Sequence, residues 1–231
     1  MDNIAANLSA IRDKISASAR RAGRDSSSVR LVAVSKTHPA EAVVAAAAKG
    51  QTVFGESRVQ EARDKIAACP PGLEWHFIGH LQKNKVRQAL PLFSFFHSID
   101  STALAEAVSR IAAETGKNVE GLLEVNVSGE ETKHGFTPDQ LRAAFPTLLK
   151  LPHLQIRGLM TMAPYSDNPE DARPVFRALR ELRDELQSAH GRPLPELSMG
   201  MSGDFEPAVE EGATLVRVGS SIFGARPYPQ A

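Results

Sequence analysis

The sequence predicts a closed barrel of eight parallel strands, each followed by a helix: the α/β, (β/α)8 TIM barrel class. Three observations carry that expectation. Strand-like and helix-like segments alternate strictly, which argues for parallel strands in an α/β fold. Eight strand candidates fit within 231 residues, near the usual size for this barrel. The strand ends are more polar than a core requires, as in barrels whose chemistry gathers on the loops at that face. An open doubly wound sheet is the competing architecture, and it would be expected to carry a Gly-rich turn after its first strand. Here that turn reads Ser35-Lys36-Thr37-His38, without glycine. No linker rich in Pro, Gly or Ser divides the chain, so one barrel domain over 1–231 is expected.

Residues 3–22 open the chain as an extra amphipathic helix, with Ile4, Leu8, Ile11 and Ile15 on one face and Gly23 as its stop. Short apolar runs then predict strands near 31–35, 52–55, 75–79, 94–99, 120–127, 154–161, 195–199 and 214–219. Helical stretches fall between them near 39–49, 57–68, 81–90, 101–116, 137–149, 169–190 and 204–212. Thr137-Pro138-Asp139 and Asn168-Pro169-Glu170 are helix-start signals. Asp100 or Ser101 suits an N-cap for the helix after the fourth strand.

Basic and acidic residues balance at 27 each, so no overall field draws the chain to nucleic acid or membrane. Cys69 is the single cysteine, which excludes an internal disulfide and a cysteine-based zinc cluster. The amino terminus lacks a basic region followed by an apolar one, and no apolar run is long enough to cross a bilayer. A cytoplasmic, monomeric protein is expected. No histidine pair has zinc-site spacing, and no metal is expected.

Lys36 ends the apolar run Leu31-Val32-Ala33-Val34-Ser35 and precedes Thr37-His38-Pro39. A lysine at the mouth of a strand has one side against a low-dielectric wall, which can lower its ammonium pKa. Such an amine can form a Schiff base with an aldehyde; a lysine that merely extends to solvent is the alternative. Two Gly/Ser-rich turns follow the seventh and eighth strand candidates, Met199-Gly200-Met201-Ser202-Gly203 and Gly219-Ser220-Ser221. Small residues there let backbone N–H groups approach an anion, and hydroxyls add donors. Those are the strands after which such barrels commonly bind phosphate. An amine beside a phosphate cradle suggests pyridoxal 5′-phosphate (PLP).

Arg217 alternates with Val216 and Val218, and one face of an eighth barrel strand is the barrel interior. A buried arginine stays charged and requires a partner. It would suit the pyridine nitrogen of the cofactor, leaving that nitrogen unprotonated and the ring a poor electron sink. A structural ion pair with Glu124 or Glu56 is the alternative. His76 reads as a hydrogen-bonded core histidine, and Lys83 and Lys85 as a solvated basic face.

The segments Val34-Ser35-Lys36-Thr37, Phe54-Gly55-Glu56, Trp75-His76-Phe77-Ile78-Gly79-His80-Leu81-Gln82-Lys83-Asn84-Lys85, Val127-Ser128-Gly129-Glu130-Glu131-Thr132-Lys133-His134-Gly135 and Gly158-Leu159-Met160-Thr161-Met162, with the two C-terminal turns, resemble the pyridoxal phosphate homeostasis proteins. These are small vitamin B6-binding relatives of the amino-terminal barrel of alanine racemase. The resemblance covers nearly the whole chain. It implies a covalent aldimine between Lys36 and PLP, phosphate contacts from Ser202 and the Gly219-Ser220-Ser221 turn, and Arg217 at the ring nitrogen. The cofactor-binding set on this basis is Lys36, Ser57, Met201, Ser202, Arg217, Gly219 and Ser220. The family reads Phe-Gly-Glu-Asn-Tyr at the second strand's end, whereas this chain has the shorter Ser57 and then Arg58. The implied role is PLP homeostasis, with apo-enzymes that use PLP as partners and no established reaction.

An amino-acid racemase is the alternative. Racemisation requires a base on each face of the substrate adduct, and alanine racemase supplies its second, a tyrosine, from an additional domain. The tyrosines here are Tyr165 and Tyr228, and neither stands in a matching motif. With too few acid–base groups and a poor electron sink, no residue is assigned as catalytic.

Overall fold

The computed structural model describes residues 3–130 and 132–224. Eight parallel strands, β1 (Arg30–Val34), β2 (Val53–Glu56), β3 (Glu74–Phe77), β4 (Phe95–Ile99), β5 (Val119–Glu124), β6 (Leu154–Met160), β7 (Glu196–Ser198) and β8 (Leu215–Val218), close into a barrel in chain order. Closure is made by β1 against β8, with Val32 opposite Arg217. The expected fold class is observed.

Two sets of apolar side chains explain why these short runs are strands. Val32, Val53, Phe95, Leu122, Met160 and Leu215 form a small cluster. Their sequence neighbours, among them Ala33, Phe54, Phe96, Leu123, Leu159 and Val216, belong to a larger cluster shared with the helices. Alternation along a strand sends successive side chains to opposite faces, so the first set fills the barrel and the second seals it to the helical layer. At the amino-terminal mouth of the strands Arg30 reaches Glu74 at 3.4 Å and Glu196 at 3.5 Å.

The outer layer follows the expected order. Helix α1 (Ile4–Arg21) buries Ile4, Leu8, Ile11 and Ile15, and packs against α2 (Ala40–Ala47), α8 (Phe205–Glu210) and α9 (Ser220–Phe223). Between them in sequence lie α3 (Val59–Ala67), α4 (Val86–Ala89), α5 (Thr102–Glu114), α6 (Pro138–Leu148) and α7 (Arg173–His190). Ser101 caps α5, accepting from the Leu104 N–H. Thr137 and Gln140 form a reciprocal capping box on α6, and Asn168 accepts from the Glu170 N–H at a 3-10 turn preceding α7.

Two elements differ from expectation. The helix predicted over 81–90 is a 3-10 turn at Lys83–Lys85 followed by the single turn of α4. No side chain caps its start, and Pro91 stops it. Strand β5 ends at Glu124 instead of reaching 127, because Asn126 leaves the ladder. Its side chain accepts from the Gly129 N–H and donates to the Glu130 carbonyl, building a local loop in place of sheet pairing. Among the described residues no helix is long and apolar enough to cross a membrane.

Candidate functional site

The carboxyl ends of β1, β6, β7 and β8 surround an open cavity of about 670 Å3, within the range of small-molecule sites. Lys36, Met201, Ser202, Arg217, Gly219 and Ser220 all line it. Six of the seven residues expected to hold the cofactor are thus brought to one cavity. Ser57 is not among them. It lies with Arg58, Phe77 and His80 around a neighbouring cavity of about 410 Å3. The β2 exit packs there against Gly79, where any side chain would collide with the Ser57 backbone.

Lys36 is half-buried, and its backbone is fixed from below by a network that sequence reading missed. Lys65 of α3 is buried, and its ammonium donates to the Ser35 carbonyl at 2.7 Å, to Glu56 at 2.5 Å and to Glu61 at 3.0 Å. Glu61 also accepts the Thr37 N–H at 2.6 Å, and the Ser35 hydroxyl donates to Glu56 at 2.7 Å. The residues on either side of Lys36 are therefore both tied to α3. Thr37 adopts φ of +67°, the left-handed region that a β-branched residue seldom occupies. Glu56 is fully buried, and burial pushes its carboxyl up, opposed by Lys65. One signal was available: Lys65 follows Glu61 at helical i,i+4 spacing, but nothing local shows that the pair points under the β1 turn.

The expected anion cradle has the donors the chemistry requires. Among the described residues, the N–H groups of Ser202, Gly203, Ser220 and Ser221 have no protein acceptor. The hydroxyls of Ser202, Ser220 and Ser221 stand beside them. The two turns touch through the Gly219 N–H, which donates to the Ser202 hydroxyl at 3.3 Å. Glycine at 219 eases the close approach of the two strands, since a Cβ there would lie 3.0 Å from the Val34 carbonyl oxygen, tighter than ordinary contact. The His38 ring packs at a tilt against Phe223, centroids 5.3 Å apart, joining the Lys36 turn to α9.

Arg217 is buried on the interior face of β8 and makes no direct ion pair with either carboxylate proposed from sequence. It donates from Nη1 to the Ser198 hydroxyl and from Nη2 to the Thr161 carbonyl at 3.0 Å. Glu56 lies on the other face of the sheet with Lys65. Glu124 shares the interior, where burial and Asp100 push its carboxyl up to about 7 against the attraction of Arg217. Burial lowers the Arg217 guanidinium to about 10, opposed by Glu124 and Asp204.

Tyr165, discounted from sequence, stands on the rim of the same cavity and is 92% exposed. Its hydroxyl donates to Asp167 at 2.8 Å, which raises its pKa and holds the proton in place. Tyr228 lies outside the described residues. On the far side of the strand ends, His80 bonds Asp100 at 2.9 Å and stacks on His134 with rings 4.2 Å apart and 18° from parallel. The three residues bring one possible ligand atom each to within 4.8 Å of one another, with the two imidazole planes stacked and not converging.

Fold and cavity together define a barrel whose mouth gathers a lysine, a buried guanidinium and, among the described residues, N–H groups without a protein acceptor. Comparison with known proteins agrees. Residues 6–227 match the family model "Alanine racemase, N-terminal domain". The chain is 47% identical to the pyridoxal phosphate homeostasis protein of Aquifex aeolicus, over 98% of this chain and all of that one. It is 43% identical to PipY of Synechococcus elongatus, solved with PLP bound, with a TM-score of 0.85 over 96% of this chain and all of that one. An alanine racemase from Clostridium difficile shares the fold at 17% identity, with a TM-score of 0.73 over all of this chain and 59% of its own. The chain belongs to the pyridoxal phosphate homeostasis proteins, within the alanine racemase N-terminal domain family.

Proposed function

We propose that this chain binds PLP in the β1/β6/β7/β8 cavity, holds it covalently through Lys36, and serves as a carrier and buffer of the vitamer. The observation that carries this reading is the meeting of Lys36, Arg217 and the Ser202 and Ser220 turns in one cavity. PLP supplies an aldehyde that an amine captures reversibly. The Lys36 nitrogen adds to the aldehyde carbon, a C=N bond forms, and the aldehyde oxygen leaves as water, so no oxidant or reductant is required. The N–H groups of Ser202, Gly203, Ser220 and Ser221 would take the phosphate. Arg217, held by Ser198 and Thr161, would donate to the ring nitrogen. PLP bound to PipY supports the ligand, and the many relatives named for homeostasis support the role.

Retention of the cofactor is favoured over turnover by the state of the acid–base groups. A guanidinium with a pKa near 10 does not readily give a proton to a pyridine nitrogen, so the ring gains little electron-withdrawing power. Tyr165 keeps its own proton, donated in a hydrogen bond to Asp167, and serves poorly as a second base. Transfer to apo-enzymes is the corresponding outlet. The test is absorbance: purified protein incubated with PLP should turn yellow, and Lys36→Ala should not. Sustained conversion of an amino acid by the wild type would revive the racemase alternative.

A further inference from the structure

A continuous hydrogen-bonded chain crosses the barrel interior from the Arg217 guanidinium to the opposite mouth. The Arg217 Nη1 meets the Ser198 hydroxyl, the Ser198 Oγ lies 2.8 Å from His97 Nδ1, His97 Nε2 lies 2.8 Å from His76 Nδ1, and His76 Nε2 lies 2.7 Å from Glu74 Oε1. Ser198, His97 and His76 are buried, and only Glu74 reaches solvent. His76 is further held by stacking on Phe95 at 5.0 Å.

The direction of every proton follows from the ends. Arginine has only donors, so the Ser198 oxygen accepts and its own proton is left to go to His97 Nδ1. His97 then carries its proton on Nε2 and donates to His76 Nδ1. His76 in turn carries its proton on Nε2 and donates to Glu74. The reverse direction would set a bare His76 nitrogen against an ionised carboxylate, or demand a buried imidazolium. Burial lowers both imidazoles, His97 strongly, and the His76 bond keeps Glu74 below its ordinary value. The other charged groups acting on this chain are Arg30 and Glu196 at its lower end, and Glu124 and Asp204 near Arg217. With neutral histidines and an ionised Glu74 every link is satisfied, in one orientation.

We infer that Ser198, His97, His76 and Glu74 are positioning residues that fix the guanidinium of Arg217 from the far end of the barrel, so that a carboxylate at one mouth sets the hydrogen bonding of the ligand site at the other. This rests on the proposal that Arg217 faces the ring of bound PLP. Its consequence is that replacing Glu74, which touches no part of the cavity, alters the bound cofactor.

Two measurements on the full chain test it. The first is 15N NMR of the imidazoles in wild type without ligand. The expected result is a proton on Nε2 of both His76 and His97, unchanged across neutral pH. A proton on Nδ1 of either ring, or an ordinary titration of either near neutrality, overturns the inference whatever the ligand proves to be. The second is a pH titration of the visible absorbance after loading with PLP, in wild type, Glu74→Gln and Ser198→Ala. Glu74→Gln keeps shape and half-exposed packing but admits either proton direction. It should move the midpoint by roughly half a pH unit or more, with Ser198→Ala moving it further. Coincident midpoints in wild type and a folded Glu74→Gln overturn the relay while leaving the binding site intact. Failure of the wild type to take up PLP instead overturns the proposed function, and the NMR result alone then decides the relay.

Discussion

Glu124 shows how one interior residue shapes the pH response of the whole chain. Its carboxyl is pushed from the ordinary 4.5 up to about 7, chiefly by burial. A raised acid pKa means that the folded state binds the proton more tightly, so this stabilisation is full below about 4.5 and is lost as pH rises through about 7. Glu124→Gln is neutral throughout. In ligand-free protein it should be more stable than wild type at pH 8, by up to about 3 kcal/mol, and the two should converge near pH 4. Denaturant unfolding at several pH values measures this; parallel curves would contradict the assignment. Lys36 is the opposite case. Its side chain is only half-buried, so Lys36→Ala should change stability by less than about 1 kcal/mol while abolishing the yellow species. A melting temperature far below wild type would show that the lysine is structural.

At the level of elements, the β1 exit depends on α3. Removing one partner of a buried ion pair leaves the other uncompensated, at a cost of about 3–5 kcal/mol. Lys65→Met should therefore destabilise strongly, since Glu56 Oε2 already has no hydrogen-bond partner. Loss of only a few tenths in urea unfolding would count against the network. Thr37→Gly relieves the left-handed strain and should leave stability equal or higher, yet slow PLP capture by loosening the turn that presents Lys36. Stopped-flow absorbance separates these effects. Thr137→Ala, remote from the cavity, should cost about 1 kcal/mol through loss of the α6 cap, with PLP binding unaltered.

Most of the fold was legible in the sequence because strands and helices here are local patterns. The amphipathic stripe of α1, the Thr137 capping box and the apolar runs of β1 and β8 each announce themselves within a few residues. The Lys36 and Ser220 segments could also be read, since strand exits followed by polar turns carry a signal of their own. What could not be read joins distant parts of the chain. Lys65 lies 30 residues from the Ser35 carbonyl it holds, and His97 lies 101 from Ser198. Arg217 could be placed in the interior by alternation, but its partner could not, because carboxylates were considered and a hydroxyl and a carbonyl serve instead. Tyr165 reaches the cavity on the loop after β6, whose course no periodicity encodes. Ser57 went the other way: Phe54-Gly55-Glu56 before it matches the family, Ser57 itself departs from it, and the β2 exit, packed on Gly79, sets it beside another cavity.

On the scale of the whole molecule, closure of the sheet brings β1 beside β8, so a lysine early in the chain shares a cavity with turns near residue 220. Incubating loaded protein with a PLP-requiring apo-enzyme should restore that enzyme's activity faster than a Lys36→Ala control does; no difference would argue against a carrier. The rival amine is Lys133, whose ammonium donates to the Met162 carbonyl on the cavity wall. Borohydride reduction of PLP-treated protein, followed by peptide mass spectrometry, distinguishes the two directly. The account predicts a pyridoxyl group on Lys36, absent from Lys36→Ala. The same group on Lys133, or an undiminished adduct in the variant, would contradict it.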